Sequence, residues 1–225
     1  DAYVFSNYSV HHKRNTMSYS IAIPTYHRLD LFAKKTYKLL KRYNLLNRVT
    51  LFLQTDADVE AYTTAFPDIS FVRAPLGFIA CTNFISEYYD IGHPIVQLHD
   101  DIAQIYELVE GKCVQAKDVH QIFESIFGVM TREGCNLGGV YPMRNAKFMQ
   151  RQAEFSTDLR FIHDPITLLY NQRIHLDDPY KTDWERTIKY YEHDGSVVRY
   201  NHVGFTTTYN PANSQGGIGH RTPEV

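Results

Sequence analysis

The chain has 225 residues, 44% of them hydrophobic, and a formal net charge of −2 at pH 7. This size and composition predict one large domain, and the small net charge excludes a global field that would hold a polyanion, so that any nucleic-acid contact needs a local basic patch. No apolar run approaches membrane-spanning length and the 3 cysteines are far apart, which predicts a soluble, intracellular protein with no membrane partner.

The first half of the chain alternates between strand-like and helical patterns. Each apolar β-type run is followed by a polar turn and then a stretch of helical periodicity. The predicted strand and helix pairs are 20–24 with 32–43, 49–53 with 56–65, and 69–72 with 77–89, before a fourth strand at 94–98. Strands alternating with helices predict a mainly parallel sheet with right-handed crossovers.

The second half predicts mixed structure. Its pattern indicates helices at 117–132 and 184–193, strands at 137–141, 166–170, 197–200 and 203–209, and a glycine-rich tail at 215–220. Residues 1–18 are polar and aromatic, and we interpret them as an N-terminal arm or extension without assigned chemistry.

Two adjacent carboxylates, Asp100 and Asp101, follow the fourth predicted strand directly. In open α/β sheets ligands bind outside the carboxyl ends of the strands, and Mg²⁺ or Mn²⁺ takes one or two protein carboxylates together with substrate phosphates. The pair therefore predicts a metal-assisted nucleotide site, although two aspartates here could equally cap the segment 102–109.

The turn after the first strand carries Pro24, Thr25, Tyr26 and Arg28, which the strand-end rule brings to the same sheet edge as the aspartates. A stacking ring and a basic group there suit a nucleotide, but the same residues are also common in a solvated turn. Neither GxGxxG nor GxxxxGK[ST] occurs, so hydride transfer on a Rossmann domain and P-loop phosphoryl transfer lose their support.

Three stretches together resemble a GT-A glycosyltransferase: residues 20–28, residues 77–85 and residues 95–102. Three downstream stretches, 137–142, 183–186 and 194–201, look like the TET/JBP-associated glycosyltransferases of phages and their base J relatives. The resemblance implies a GT-A-like α/β fold over residues 19–225, with a nucleotide-sugar half at 19–110 and an acceptor half at 111–225.

The resemblance also implies a UDP-sugar donor and a divalent metal, Mn²⁺ or Mg²⁺, held by a DxD motif. His99 stands in the first slot of that motif, so metal ligation falls on Asp101, with Asp100 directed to the metal or the ribose. His99 itself could be a ligand, a donor to the sugar, or a packed histidine.

Two further features of the resemblance extend the expected donor site. The Arg-Asn pair common in the preceding helix is Thr82-Asn83 here, which leaves Asn83 as the donor contact. In the tail, His220 is a candidate metal ligand and Arg221 a candidate diphosphate donor, unless the tail takes no part in the site.

Inverting transfer needs a carboxylate that accepts the proton of the acceptor hydroxyl. We assign this role to Asp183, with Asp178 as the substitute and Asp177 and Glu185 nearby. Asp183 could instead be a helix N-cap, and a retaining reaction would need no such base.

For the acceptor, the resemblance implies a 5-hydroxymethylpyrimidine in DNA, flipped or unstacked for the reaction, in the cytoplasm of an infected host if the protein is viral. Trp184 and basic residues interleaved with aromatic ones are the candidate DNA contacts, unless they form an ordinary solvated face and core. These basic residues are Arg144, Lys147, Arg151 and Arg160. Alternative functions are a GT-A enzyme acting on a glycan or protein, and a non-catalytic nucleotide- or DNA-binding module.

Overall fold

The computed structural model of the protein describes residues 19–207. The strands are β1 Ser20–Thr25, β2 Val49–Leu53, β3 Ser70–Arg73, β4 Pro94–Leu98, β5 Ile102–Val109, β6 Lys112–Gln115, β7 Leu137–Tyr141, β8 Phe155–Ser156, β9 Ile166–Tyr170 and β10 Val198–Thr207. The α-helices are α1 Leu29–Lys34, α2 Thr36–Arg42, α3 Asp56–Ala65, α4 Phe78–Tyr88, α5 Val119–Glu133, α6 Ala146–Met149 and α7 Thr182–Asp194. None of the helices within residues 19–207 is both long and apolar enough to span a membrane.

These strands form one mixed sheet, in the order β3-β2-β1-β4-β9-β7-β10-β5-β6, with β8 paired to β10. The β1, β2, β3 and β4 ladders are parallel, as the alternating pattern predicts, and β9 is inserted antiparallel between β4 and β7. The α/β fold with a central sheet that is parallel in its N-terminal half, mixed in its C-terminal half and flanked by helices is thus confirmed.

Both faces of the sheet are covered by apolar side chains. Ile21 and Ile23 of β1 pack into one core cluster, whereas Ala22 between them packs into the other. A strand buried on both faces has a largely apolar sequence, which explains the apolar residues of β1 and β4, although β4 also buries Gln97. The charged residues of the candidate site follow the ends of these strands.

The glycine pair in β7 has a packing reason. A Cβ on Gly138 would lie 2.6 Å from Met130 Sδ of α5, and one on Gly139 would lie 2.6 Å from Ile162 Cγ2. The two glycines therefore let α5 and the segment before β9 approach the sheet closely from its two faces.

Three predicted elements are wrong in detail. The 32–43 helix is two helices with a break at Lys35, and the segment 102–109 is a strand, so Asp100 and Asp101 do not cap a helix. The two predicted C-terminal strands are one strand, β10, whose pairing with β7 is irregular near Asn201. The side-chain amide of Asn201 donates to Ala153 O at 2.9 Å and to Ser156 Oγ at 2.7 Å.

Candidate active site

The carboxyl ends of β1 and β4 meet at one sheet edge and bring Thr25 beside Asp100. The Thr25 hydroxyl donates to Asp100 Oδ2 at 2.8 Å and lies 2.9 Å from the hydroxyl of Tyr62 on α3. Thr25 is the last residue of β1, and Asp100 comes two residues after the end of β4. The parallel pairing of two adjacent strands is therefore what assembles this part of the site.

Arg28 bridges the two aspartates. Its Nη1 lies 2.8 Å from Asp100 Oδ1, and its Nη2 lies 3.3 Å from Asp101 Oδ2. The Arg28 side chain is 15% exposed, and the carboxylates are buried. One guanidinium thus neutralises part of the charge of two buried, adjacent carboxylates.

The loop that carries Arg28 is held by Asp58. The Asp58 carboxylate accepts from the backbone N–H of His27 at 3.2 Å and from the Thr55 hydroxyl at 2.9 Å. His27 has a φ of +51° and its ring packs on Tyr26 at a centroid distance of 4.1 Å. Pro24, predicted with this loop, is buried within β1, whereas Tyr26 is partly exposed at the site edge.

Burial raises the pKa of Asp100 to about 6, against the opposing effects of Arg28 and the Thr25 hydroxyl. A carboxyl with a raised folded-state pKa stabilises the fold most when it is protonated, below its unfolded pKa near 4, and this contribution disappears as pH rises through about 6.

We therefore expect Asp100→Asn to stabilise the metal-free protein relative to wild type at pH 7 but not at pH 4.5. The gain at pH 7 should be on the order of 1–3 kcal/mol, because the variant no longer buries an ionised carboxyl. Urea unfolding of both proteins across this pH range, with a chelator present, measures it. A difference that does not change with pH would contradict the raised pKa.

His99 is partly exposed, but its Nε2 is buried and has no hydrogen-bonding partner within residues 19–207. Burial lowers the pKa of His99, although the charges of Asp164 and Asp101 act in the opposite direction. The ring packs edge-on against Phe78 at a centroid distance of 6.0 Å. A neutral imidazole with a free nitrogen can bind a metal or hydrogen-bond a ligand.

Asp101 and its neighbours at this edge supply some, but not all, of the ligands that a divalent metal needs. Asp101 Oδ1 is buried and unpartnered in the described part of the chain, which is the condition of a carboxylate oxygen awaiting a ligand. Within residues 19–207, however, no group of three or more His, Cys, Asp and Glu side chains could hold a metal ion. A metal here would take Asp101 and its neighbours, with substrate phosphates and water completing the shell.

A cavity lies between β4, β9, α4 and α7. Among its lining residues are Thr82, Gln97 and Arg186. Thr82 Oγ1 and Arg186 Nη2 are buried without a partner in the described residues. Buried polar atoms of this kind call for water or a polar ligand group.

On the other side of the edge, Asp164 forms a buried polar cluster with α7. Arg186 Nη1 lies 2.5 Å from Asp164 Oδ1, and the Thr182 hydroxyl donates to Asp164 Oδ2. Arg186 is 3% exposed and Asp164 5%. The cluster attaches the start of α7 to the segment that enters β9.

Removing one partner of this ion pair should strongly destabilise the protein. Asp164→Ala leaves the Arg186 charge buried and unpaired, which costs about 3–5 kcal/mol. Asp158→Ala is the matched control, because Asp158 pairs with Arg160 on the surface and such pairs contribute at most about 1 kcal/mol. Urea denaturation compares the two, and equal losses would contradict the role of the Asp164–Arg186 pair.

Asp183 is half-buried and lies beside His163. His163 Nε2 is 4.0 Å from Asp183 Oδ2, and the backbone N–H of Trp184 donates to Asp183 Oδ1 at 3.0 Å. Burial raises the pKa of Asp183, and the charge of Asp164 adds to the effect. Asp183 is the second residue of α7, so the N-cap interpretation is wrong.

The neighbouring carboxylates are occupied structurally. Asp178 Oδ1 accepts from the backbone N–H of Tyr180 at 2.8 Å. Glu185 accepts from the backbone N–H groups of Asp177 and Asp178 and is 2.7 Å from Lys189 Nζ. Glu185 thus has more protein partners than Asp183, whereas Asp178 and Asp183 each accept one backbone N–H.

The exposed Trp184 and the partly buried Phe161 form an aromatic pair next to Asp183. Their ring centroids are 4.6 Å apart, and Trp184 is 55% exposed, so it is not a core residue. Phe161 also lies 5.6 Å from the ring of His163. Arg160 precedes Phe161 and pairs with Asp158 on the surface.

The remaining predicted acceptor residues lie elsewhere. Arg144 stacks on the ring of Tyr106 at 4.3 Å, and Lys147 and Arg151 belong to α6 and the turn after it. Of the contacts made within residues 19–207, none links these three to Trp184. Asn83 uses its side-chain amide on both backbone groups of Leu176, each at 2.9 Å, and its donor role stays a prediction.

His220 and Arg221 lie outside the described residues, as does the 1–18 arm. Sequence reasoning missed Asp58, His163, Asp164 and Arg186. Asp58 carried a signal, since it is three residues after a Thr at a strand end, the spacing of a helix cap. The positions of the other three residues depend on the antiparallel insertion of β9 beside β4, which no local sequence pattern predicts.

No family model matches the chain, and no curated protein matches it. Its structure is similar to that of the mannosyltransferase PcManGT from Pyrobaculum calidifontis in complex with GDP-Man and Mn²⁺, with a TM-score of 0.50, 12% identity, and coverage of 76% of this chain and 50% of that one. It is also similar to TarS 1–349 of S. aureus, with a TM-score of 0.55, 10% identity, and coverage of 84% and 59%.

The chain has a GT-A-like fold. It spans between 50% and 59% of the length of these two proteins. A CMP:2-keto-3-deoxy-manno-octonic acid synthetase complexed with CTP is also similar, at 9% identity with coverage of 81% and 88%, but its TM-score of 0.46 is too low to indicate function. At such identities, similarity establishes the fold alone.

Proposed function

We propose that the protein is a metal-dependent glycosyltransferase that moves a sugar from a UDP-sugar to a hydroxyl acceptor. Two observations support the proposal: the Asp100–Asp101 pair after β4 has an unpartnered oxygen, and the half-buried Asp183 lies 4.0 Å from His163, whose charge acts on His99 together with that of Asp101. The carboxylate pair would hold the metal that binds a nucleotide diphosphate, and Asp183 would accept the proton of an acceptor hydroxyl.

The donor side is the loop after β1 and the end of β4. Thr25, Tyr26 and Arg28 would contact the nucleotide, with Tyr26 stacking on the base and Arg28 donating to phosphate. The cavity between β4, β9, α4 and α7 would take hydroxyls of the transferred sugar, because its unpartnered Thr82 and Arg186 atoms supply hydrogen-bonding groups. Pro24 and Asn83 would shape this side through the backbone.

The metal would be held by Asp101, with Asp100 directly or through water, and His220 stays a predicted additional ligand. When bound, a divalent ion stabilises the negative charge that develops on the departing diphosphate. The chain itself aligns Asp100 through Thr25 and keeps His99 neutral beside the pair. Arg221 stays a predicted phosphate contact.

At the acceptor, Asp183 would accept the proton of the attacking hydroxyl, and a single displacement of this kind inverts the anomeric centre. Its raised pKa suits a base that works near neutral pH. His163, 4.0 Å away, would hold the carboxylate in position. Asp178 is the alternative base.

For the acceptor class, we propose a 5-hydroxymethylpyrimidine in DNA. The exposed Trp184 ring next to Asp183, with the partly buried Phe161 ring beside it, suits stacking of an unstacked base, and the neighbouring Arg160 suits a phosphate. Arg144, Lys147 and Arg151 would meet the strand farther away.

The test incubates the protein with Mn²⁺, a panel of UDP-sugars, and DNA containing 5-hydroxymethylcytosine or 5-hydroxymethyluracil, followed by mass spectrometry of the nucleosides. Parallel reactions contain simple sugars or glycans. A hexose mass shift on DNA supports the proposal, whereas a shift only on the sugars moves the acceptor to a glycan. Absence of both transfer and UDP release contradicts the transferase itself.

A further inference from the structure

Arg28, Asp100 and Asp101 form a buried cluster of three charged side chains. All three side chains are largely buried, with 15%, 3% and 11% of their surface exposed. The guanidinium is shared, with one nitrogen on each carboxylate. A second cation that binds both carboxylates would therefore have to take the place of the Arg28 guanidinium.

The cluster is not closed on itself. Asp101 Oδ1 and Arg28 Nε are both buried and have no hydrogen-bonding partner within residues 19–207. Partly satisfied polar networks are costly in a low-dielectric interior. The two unpartnered atoms indicate that two further ligands complete the cluster: a cation at Asp101 Oδ1 and an anion at Arg28 Nε.

The backbone beneath Arg28 is fixed independently of its guanidinium. Asp58 accepts from the His27 N–H, and the Phe32 N–H donates to Arg28 O at 2.9 Å, the first hydrogen bond of α1. The long, unbranched side chain can therefore change partners without moving the loop.

We propose that Arg28 is the resident counter-ion of the Asp100–Asp101 pair, and that a divalent cation displaces its guanidinium, which then becomes free to bind an anionic group of the donor. This inference rests on the metal-binding part of the proposed function. It makes Arg28 a positioning residue that couples metal arrival to phosphate binding at one side chain. Without a metal, the same guanidinium neutralises part of the charge of the two carboxylates.

Competition between the Arg28 guanidinium and a metal ion predicts the direction in which Mn²⁺ affinity changes when Arg28 is replaced. Removal of the Arg28 charge should tighten Mn²⁺ binding by about tenfold, a size typical of coupling between two ligands, because the ion no longer displaces a cation. A residue that merely helped to hold the metal or the fold would weaken binding when replaced.

The experiment is a titration with Mn²⁺ alone, followed by electron paramagnetic resonance of the free ion, on the full chain without nucleotide. It compares wild type with Arg28→Met, Arg28→Lys and Arg73→Met. Arg73 pairs with Asp56 at the surface, so its replacement matches the loss of charge away from the site. We expect tighter binding only for Arg28→Met, and affinity close to wild type for the other two.

Thermal unfolding with and without Mn²⁺ provides a second readout. Mn²⁺ should raise the melting temperature of Arg28→Met more than that of wild type, since it replaces the missing counter-ion. If Arg28→Met is unfolded without metal, its folding on addition of Mn²⁺ is the expected result. Failure to fold at saturating Mn²⁺ contradicts the inference.

The outcomes separate the inference from the proposed function. Equal or weaker Mn²⁺ binding by Arg28→Met, with clear binding by wild type, overturns the counter-ion role and leaves the metal site standing. If neither protein binds Mn²⁺, the metal-dependent part of the proposed function fails and the inference fails with it.

Discussion

Asp101→Asn is expected to reduce sugar transfer by about a thousandfold, which corresponds to about 4 kcal/mol of transition-state stabilisation, the several kcal/mol that a metal ion contributes. The substitution keeps the size of the side chain but removes the charge of the carboxylate whose Oδ1 is buried and unpartnered. UDP release under saturating donor and acceptor measures the loss, and a Mn²⁺ titration of the same variant should show weakened binding.

Asp56→Asn is the matched control for this change. Asp56 is almost fully exposed on α3 and pairs only with Arg73 in the described part of the chain, so its replacement should leave transfer unchanged. Transfer by Asp101→Asn at the wild-type rate would remove Asp101 from the metal site. The folded state of both variants is checked by circular dichroism.

Asp183→Asn is expected to lower kcat by about 10²–10⁴-fold with little change in the KM for the UDP-sugar, because general-base catalysis contributes a factor of this size and the donor is bound on the other side of the edge. The raised pKa adds a second signature. The kcat of wild type should fall as pH is lowered through that pKa, when Asp183 becomes protonated, whereas the residual kcat of the variant should not follow this dependence.

Asp178→Asn distinguishes the two candidate bases. Its carboxylate caps a turn through the Tyr180 N–H, so we expect a modest loss of stability and a kcat close to wild type. If Asp178→Asn loses kcat and Asp183→Asn does not, the base has been assigned to the wrong carboxylate. Loss of neither, together with a product of retained configuration, would assign Asp183 to binding the acceptor.

Much of the first half could be predicted because its structure is local. The bounds of β2, β4 and α3 agree with the sequence pattern, since each βαβ unit buries an apolar strand on both faces and its helix follows within a short loop. The rule that ligands bind at the carboxyl ends of the strands likewise predicted, from the sequence alone, that Thr25, Arg28 and Asp100 lie at one sheet edge.

Beyond β4, the bounds of β7 and β9 agree with the sequence pattern, whereas β5, β6 and β8 were not predicted. β5 has an interrupted apolar pattern, and its local signal is the hairpin turn to β6 at Glu110 and Gly111, which both have positive φ. Its other antiparallel partner, β10, lies about a hundred residues further along the chain, where no local pattern can indicate the pairing. The Asp164–Arg186 pair has the same origin. A buried ion pair can be foreseen only after the strand that brings Asp164 next to β4 has its place in the sheet order.

The paired glycines of β7 have a consequence for the acceptor side. Ile162 rests directly on Gly139, and the next two residues are His163 and Asp164. A methyl group on Gly139 would push this segment outward from the sheet and shift His163 relative to Asp183 without touching either. The height at which His163 and Asp164 stand above the strands is therefore set by a missing side chain, and the proposed acceptor site could be altered from a glycine buried in the sheet.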